Sequence, residues 1–163
     1  MISQRTFVLL KPDAIERSLV GKILSRFEET GLKIVAMKMV WADEEFASKH
    51  YTDDITKRRG EKVRNNLLKY IAEGPVIAFV LEGIGAIENV RKMVGPTEPS
   101  KAAPGTIRGD FGHFNFANAD KRDIAIKNII HASGDEKDAE HEIKLWFNEK
   151  EMHTYKTVQD FFL

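Results

Sequence analysis

An α+β fold, a four-stranded antiparallel sheet with helices packed around it, is what the amino-acid sequence predicts. Two observations carry that expectation. Short apolar extended runs alternate with amphipathic helical stripes in the order β-α-β-α-β-α-β, and one run, Val76 to Leu81, is apolar throughout. A strand of that kind belongs in the middle of a sheet, covered on both faces. The order matches the split βαβ, ferredoxin-like arrangement, an antiparallel sheet with helices on one face. Order alone does not separate it from a flavodoxin-like sheet.

Each element has a local reason. Thr6 to Leu10 reads as a short strand, ended by Lys11-Pro12-Asp13, where proline interrupts the ladder. Val20, Ile23, Leu24 and Phe27 share one helical face, and Gly31 stands where a left-handed cap closes that helix. Ile34 to Trp41 predicts a second strand with Val35, Met37, Met39 and Trp41 alternating onto one face. Asp43, followed by Glu44 and Glu45, is the N-cap and acidic first turn of a short helix ending near Tyr51. Leu67, Tyr70 and Ile71 restart a helical stripe that Gly74-Pro75 stops. Ala86, Ile87, Val90, Met93 and Val94 make another helix, after which Gly95-Pro96 opens a long loop reaching at least Gly112. A polar stretch, His113 to Lys127, leads to a short apolar strand at Ile129-Ile130. The last helix starts about Asp135 and carries Ala139, Ile143, Trp146 and Phe147 on one face, and the tail aromatics Tyr155, Phe161 and Phe162 are expected to dock.

Composition narrows the chemistry. A chain of 163 residues fits a single domain, residues 1–163, that can bury a core without covalent staples. It has no cysteine, which excludes a disulfide framework, a thiolate metal site and a cysteine nucleophile. With 25 basic and 25 acidic side chains the net charge is zero, which argues against a protein that coats nucleic acid. No run approaches the ~20 apolar residues of a membrane span, so no membrane partner is expected. The first ten residues lack a signal-peptide pattern, and the default expectation is a cytoplasmic protein.

Two short patterns fail their context. Asp110-Phe111-Gly112 spells a kinase metal-binding triplet, yet no glycine-rich loop, VAIK-like strand or HRD loop precedes it. Gly83-Ile84-Gly85 begins a dinucleotide fingerprint, but Glu88 stands at the third glycine position and would oppose a pyrophosphate.

The informative residues are dispersed: Lys11 at the end of the first strand, Arg91 on the helix before the long loop, Thr97 and Arg108 within it, and Asn128 and His131 flanking Ile129-Ile130. Singly, each is an ordinary surface residue. Lys11, Asn128 and His131 lie at strand ends, where loops gather and sites form. Glu142 lies at the edge of the last helix's apolar stripe, about 60° from Ala139 on a helical wheel. A carboxylate there needs a partner, and a histidine N–H would serve. That bond would fix the tautomer and leave the other ring nitrogen an unprotonated nucleophile. Taken alone, such a pair also suits a purely structural role.

Five stretches, in order, carry a resemblance: Arg5 to Asp13 (RTFVLLKPD), His50-Tyr51, Arg91 to Gly95 (RKMVG), Pro104 to Phe111 (PGTIRGDF) and Asn128 to Ser133 (NIIHAS). Together they resemble the nucleoside diphosphate kinase family over essentially the whole chain. The resemblance implies a ferredoxin-like fold, a homo-oligomer (tetramer or hexamer) and Mg²⁺. It implies ping-pong transfer of the γ-phosphoryl group of a nucleoside triphosphate, typically ATP, to a nucleoside diphosphate through a phosphohistidine. Position by position, it makes His131 the phosphorylated nucleophile and Glu142 the residue that orients it. Lys11, Arg91, Thr97, Arg108 and Asn128 match nucleotide contacts, and Tyr51 and Ser133 pack or hydrogen-bond around the histidine. The metal is held mainly through substrate phosphates, with no dedicated protein ligands. A non-catalytic scaffold would have no need for these residues together. An RNA-binding module would carry exposed aromatics among basic residues on a strand, where Ile34 to Trp41 and Val76 to Leu81 are aliphatic.

Three departures accompany the resemblance. Val63 stands where the family usually carries a base-stacking phenylalanine, after a longer basic stretch from Lys57 to Lys62. Gly134 replaces a usual aspartate, leaving Asp135 as the N-cap of the last helix. The segments near 53–62 and 112–127 are longer than usual.

Overall fold

A computed structural model describes residues 3–161. Its sheet is built from β1 (Ser3–Leu10), β2 (Lys33–Val40), β3 (Val76–Ile84) and β4 (Ile130–Ala132), in the spatial order β2-β3-β1-β4 with each pair antiparallel. The unbroken apolar run of β3 therefore lies inside the sheet. The antiparallel pairing is that of the split βαβ arrangement and sets aside the flavodoxin-like alternative, whose sheet is parallel.

Around the sheet lie α1 (Pro12–Glu16), α2 (Val20–Glu29), α3 (Glu44–His50), α4 (Asp53–Arg59), α5 (Glu61–Ala72), α6 (Ala86–Val94), α7 (Ile107–Phe111), α8 (Phe116–Arg122) and α9 (Glu136–Trp146). They cover both faces, where the sequence order alone suggested one. The reason is in β1 and β3, whose consecutive residues are apolar, so neither face can be left in water. Val8, Leu10, Phe79 and Leu81 pack against Ile23 and Phe27 of α2 and Val90 of α6. Phe7, Leu9, Ala78 and Val80 pack against Ala47 of α3, Ile71 of α5 and Trp146 of α9.

Caps act where expected. Gly31 follows α2 with φ +83°, the left-handed conformation that closes a helix. Asp43 accepts a hydrogen bond from the Phe46 N–H, and Asp135 from that of Asp138, so the neighbouring Gly134 leaves α9 capped. Gly83 and Ile84 finish β3 and Gly85 precedes α6, so that glycine pair is a strand end and a turn. The long loop after α6 is more ordered than its composition suggests. Thr106 caps α7 and Asn115 caps α8 through side-chain oxygens.

Two expectations need correction. β2 carries a register shift between Ile34 and Ala36, so Val35 and Ala36 are both buried and the later alternation inverts. Met37, Met39 and Trp41 do not join Val35 in the core; they are 52%, 58% and 68% exposed. In the tail the Tyr155 hydroxyl donates to the Ile34 carbonyl, but Phe161 is undocked and Phe162 lies outside the described residues.

Gly109 shows how tightly the loop is folded: a Cβ there would sit 2.1 Å from the Ala103 carbonyl oxygen. Gly109→Ala is expected to destabilise the protein by about 2 kcal/mol, lowering the thermal midpoint by roughly 5 °C. A variant melting with the wild type would show that the loop relaxes freely.

Candidate active site

β4 places His131 opposite Leu9 of β1, so the nucleophile candidate is the middle residue of a strand rather than the residue after one. The chain enters β4 through a tight turn. Ile129 has φ +72°, and the Ile130 N–H donates to the Asn128 carbonyl at 2.7 Å. This is a γ-turn centred on a β-branched residue, a strained conformation that surrounding structure must hold. Arg108 holds it. From α7 its guanidinium donates to the carbonyls of Asn128 (3.2 Å), Gly95 (2.9 Å) and Ile130 (2.5 Å) while almost wholly buried.

His131 Nε2 lies 2.7 Å from Glu142 Oε1, and the Ser133 hydroxyl donates to Glu142 Oε2 at 2.6 Å. Glu142 is buried on α9 with both oxygens engaged. With a carboxylate as its partner, Nε2 carries the proton, leaving Nδ1 with a free lone pair. Ser133 therefore bonds the carboxylate, not the histidine.

An aromatic cage backs this pair. The His50 ring packs edge-on to His131 with centroids 4.6 Å apart, and its Nδ1 accepts the Trp146 indole N–H at 3.2 Å. Burial, then the neighbouring His131 and Lys11, hold the His50 pKa well below the usual histidine value. Tyr51 stacks edge-on to His50 at 4.5 Å, and burial pushes its hydroxyl's pKa up. The Tyr51 hydroxyl and His50 Nε2 are buried without a hydrogen-bond partner among the described residues.

These residues border a cleft of about 650 Å³. Lys11, Tyr51, Val63, Arg91, Thr97, Arg108, Asn128, His131 and Glu142 all line it, and Ser133 stands behind Glu142. Lys11 Nζ donates to Asn128 Oδ1 at 2.7 Å, and Asn128 Nδ2 to the Thr97 carbonyl at 2.9 Å, so Thr97 is tied in by its backbone. Burial, then the charge of Arg108, brings the Lys11 pKa down to about 7; burial lowers that of Arg108 to about 10. Arg91 is exposed on the cleft wall. A site with clustered, under-compensated cations facing a histidine lone pair suits a polyanionic electrophile such as a polyphosphate.

Comparison with known proteins is decisive. The family model described as nucleoside diphosphate kinase matches residues 4–152. This chain belongs to the nucleoside diphosphate kinase family. A nucleoside diphosphate kinase of Borreliella burgdorferi is 49% identical over 96% of this chain and 94% of that protein. One of Pyrococcus furiosus is 48% identical over 98% of this chain and 92% of its own length. A solved structure, a transition-state mimic of nucleoside diphosphate kinase from Borrelia burgdorferi with bound vanadate and ADP, superposes with TM-score 0.96 at 48% identity, covering 98% of this chain and 96% of that one. Another, a halophilic nucleoside diphosphate kinase from Halobacterium salinarum in complex with CDP, gives TM-score 0.84 at 37% identity, covering 99% and 98% of the two chains. The protein is accordingly a phosphotransferase that moves the terminal phosphoryl group of a nucleoside triphosphate to a nucleoside diphosphate.

Among the described residues one cluster, His50, His131 and Glu142, has a metal-like arrangement. It does not suit the divalent cation of a nucleoside diphosphate kinase. Two of its members offer imidazole nitrogen, Glu142 already has both oxygens bonded, and Mg²⁺ prefers six oxygen ligands. Asp54 and Asp138 are the other carboxylates on the cleft wall.

Several cleft residues have no signal in the sequence that marks them as site members, among them His50, Asp54, Phe116 and Asp138. His50 belongs to the matching dipeptide His50-Tyr51, and its burial against His131 has no local signal. Phe116 lay in an unexplained polar stretch.

The Lys11 value carries a prediction. In the free protein Lys11 is largely deprotonated at pH 8 and largely protonated at pH 6; a bound polyphosphate favours the protonated form. ADP binding is thus expected to take up a proton at pH 8 and much less at pH 6, read by calorimetry in buffers of differing ionisation enthalpy. Lys11→Met should abolish that difference, and uptake independent of pH would refute the assignment to Lys11.

Proposed function

We propose that His131 is the residue phosphorylated in the catalytic cycle, and that the cycle is ping-pong. The His131 Nδ1 lone pair attacks the γ-phosphorus of the donor triphosphate. The bond from that phosphorus to the β,γ-bridging oxygen breaks, and the nucleoside diphosphate leaves with the electron pair. The imidazolium charge so created is stabilised through Nε2–H by Glu142, which Ser133 holds in place. In the second half a terminal oxygen of the incoming diphosphate attacks the phosphorus, and the N–P bond breaks to return the pair to Nδ1. No proton has to leave the histidine in either half.

The single observation that supports this reading is the Nε2 to Oε1 contact of 2.7 Å, which frees Nδ1 at the cationic cleft. Lys11, Arg91 and Arg108 line that cleft and would stabilise charge on the transferring group; Lys11 and Asn128 would also meet the ribose, and Thr97 the phosphates. Mg²⁺, entering on the substrate, would be held by phosphate oxygens, water and the carboxylates Asp54 or Asp138, and supplies charge neutralisation and phosphate orientation. We read residues 1–163 as one catalytic domain acting in the cytoplasm as a tetramer or hexamer. The exposed Met37 and Met39 on the edge strand β2, and Trp41 just beyond its end, support assembly. Among the described residues no helix is long and apolar enough to cross a membrane.

Incubation with ATP and Mg²⁺ followed by intact-mass measurement is expected to show one acid-labile phosphoryl group that GDP discharges. His131→Ala should show none, and an adduct on that variant that GDP discharges would overturn the mechanism. Glu142→Gln should slow phosphorylation by roughly 10²-fold, with a rate equal to wild type counting against its orienting role.

A further inference from the structure

Asp54 apart, the segments 53–62 and 112–127 stand away from the chemistry at His131 and meet at the other end of the cleft. Lys62 Nζ lies 2.9 Å from Asp123 Oδ1, and Asn66 Nδ2 donates to the same oxygen at 3.2 Å, joining α5 to the end of α8. The opposite end of α8 is tied to the loop after α6: the Phe116 N–H donates to Glu98 Oε1 at 3.1 Å, and Glu98 is itself buried and paired with Lys101. Held at both ends, α8 presents Phe116 to the cleft. The guanidinium carbon of Arg59 lies over the Phe116 ring, 4.7 Å from its centroid.

The cleft wall is consequently of two kinds. Around His131 it is cationic, with Lys11, Arg91 and Arg108; at Val63, Leu67, Phe116 and Ile126 it is apolar. A nucleoside diphosphate has the same polarity, a polyanion joined through a ribose to a flat aromatic base. With its terminal phosphate at His131, its base falls at the apolar end. There Val63 offers no π face. Among the described residues two Phe, Tyr or Trp side chains line the cleft: Tyr51, buried beside the nucleophile, and Phe116.

We propose that Phe116, braced by Arg59, is the aromatic platform on which the nucleobase stacks, with Val63 as the apolar side wall. The aromatic face is thus supplied by α8, where the family resemblance would have put it on α5. Stacking on a ring is tolerant of base identity, because every base has a π face. A second cavity of about 290 Å³, also bordered by Phe116, Val63, Leu67 and Ile126, leaves the ring room to adjust to purines and pyrimidines. This inference rests on the assignment of the cleft to a nucleotide with its phosphates at His131.

Calorimetric binding of ADP and of inorganic pyrophosphate separates the two claims, since it needs no turnover. Phe116→Leu is expected to weaken ADP by about tenfold and leave pyrophosphate unchanged, with Phe116→Tyr within about twofold of wild type. In the steady state the leucine variant should raise the KM for nucleotide and leave kcat unaltered. Equal ADP affinity in wild type and Phe116→Leu, or an equal loss for pyrophosphate, overturns the platform. Absence of a phosphoryl adduct on the wild-type protein would overturn the His131 mechanism instead, and the ADP titration would still decide Phe116.

Discussion

The buried guanidinium of Arg108 is the interaction on which the site depends. It takes carbonyls from Gly95, Asn128 and Ile130, three points on two segments that otherwise have no common ladder. Two of those carbonyls flank the γ-turn at Ile129, whose left-handed backbone needs such support. Remove the fork and the turn before β4, the start of the long loop and the position of Asn128 lose their common anchor. A planar donor set in fixed geometry can do this where a lysine could not.

The same choice of partners keeps the site electrically hungry. Arg108 is held by neutral carbonyls and Lys11 by the Asn128 amide oxygen, so neither charge is cancelled by a directly bonded carboxylate. Lowered pKa values at both are the mark of charge confined in low dielectric without full compensation. An arriving polyphosphate supplies that compensation. Glu142, the buried carboxylate nearest the nucleophile, is turned to His131 and Ser133, which separates the anion that orients the histidine from the anion that reacts with it.

Much of the fold was legible because its causes are local. Gly31, Asp43 and the limits of α6 follow from cap chemistry and apolar spacing, and the central place of β3 from its lack of polar residues. β2 was misread because a bulge leaves no trace in an alternating pattern; one extra residue between Ile34 and Ala36 sends Met37 and Met39 to the uncovered side. His50 was invisible as a site member for a similar reason. Nothing near it in the chain indicates that Trp146, far downstream, would take its Nδ1 and fix its tautomer. Phe116 was hidden by a polar context, since the partners that hold it, Arg59 and Glu98, are remote in sequence.

By itself, then, the sequence determined the class of chemistry and the parts: no thiol, a histidine beside a strand, dispersed cations, and stretches distinctive enough to name a family. Those follow from residue identity and short-range periodicity, which folding does not alter. Tertiary structure decided what each part is bonded to. It selected Nδ1 of His131 as the free nitrogen, assigned Ser133 to the carboxylate and lowered the pKa of Lys11. It also brought 53–62 against 112–127. Each is a matter of partner and burial, set by contacts between residues distant in the chain, and so absent from any local pattern.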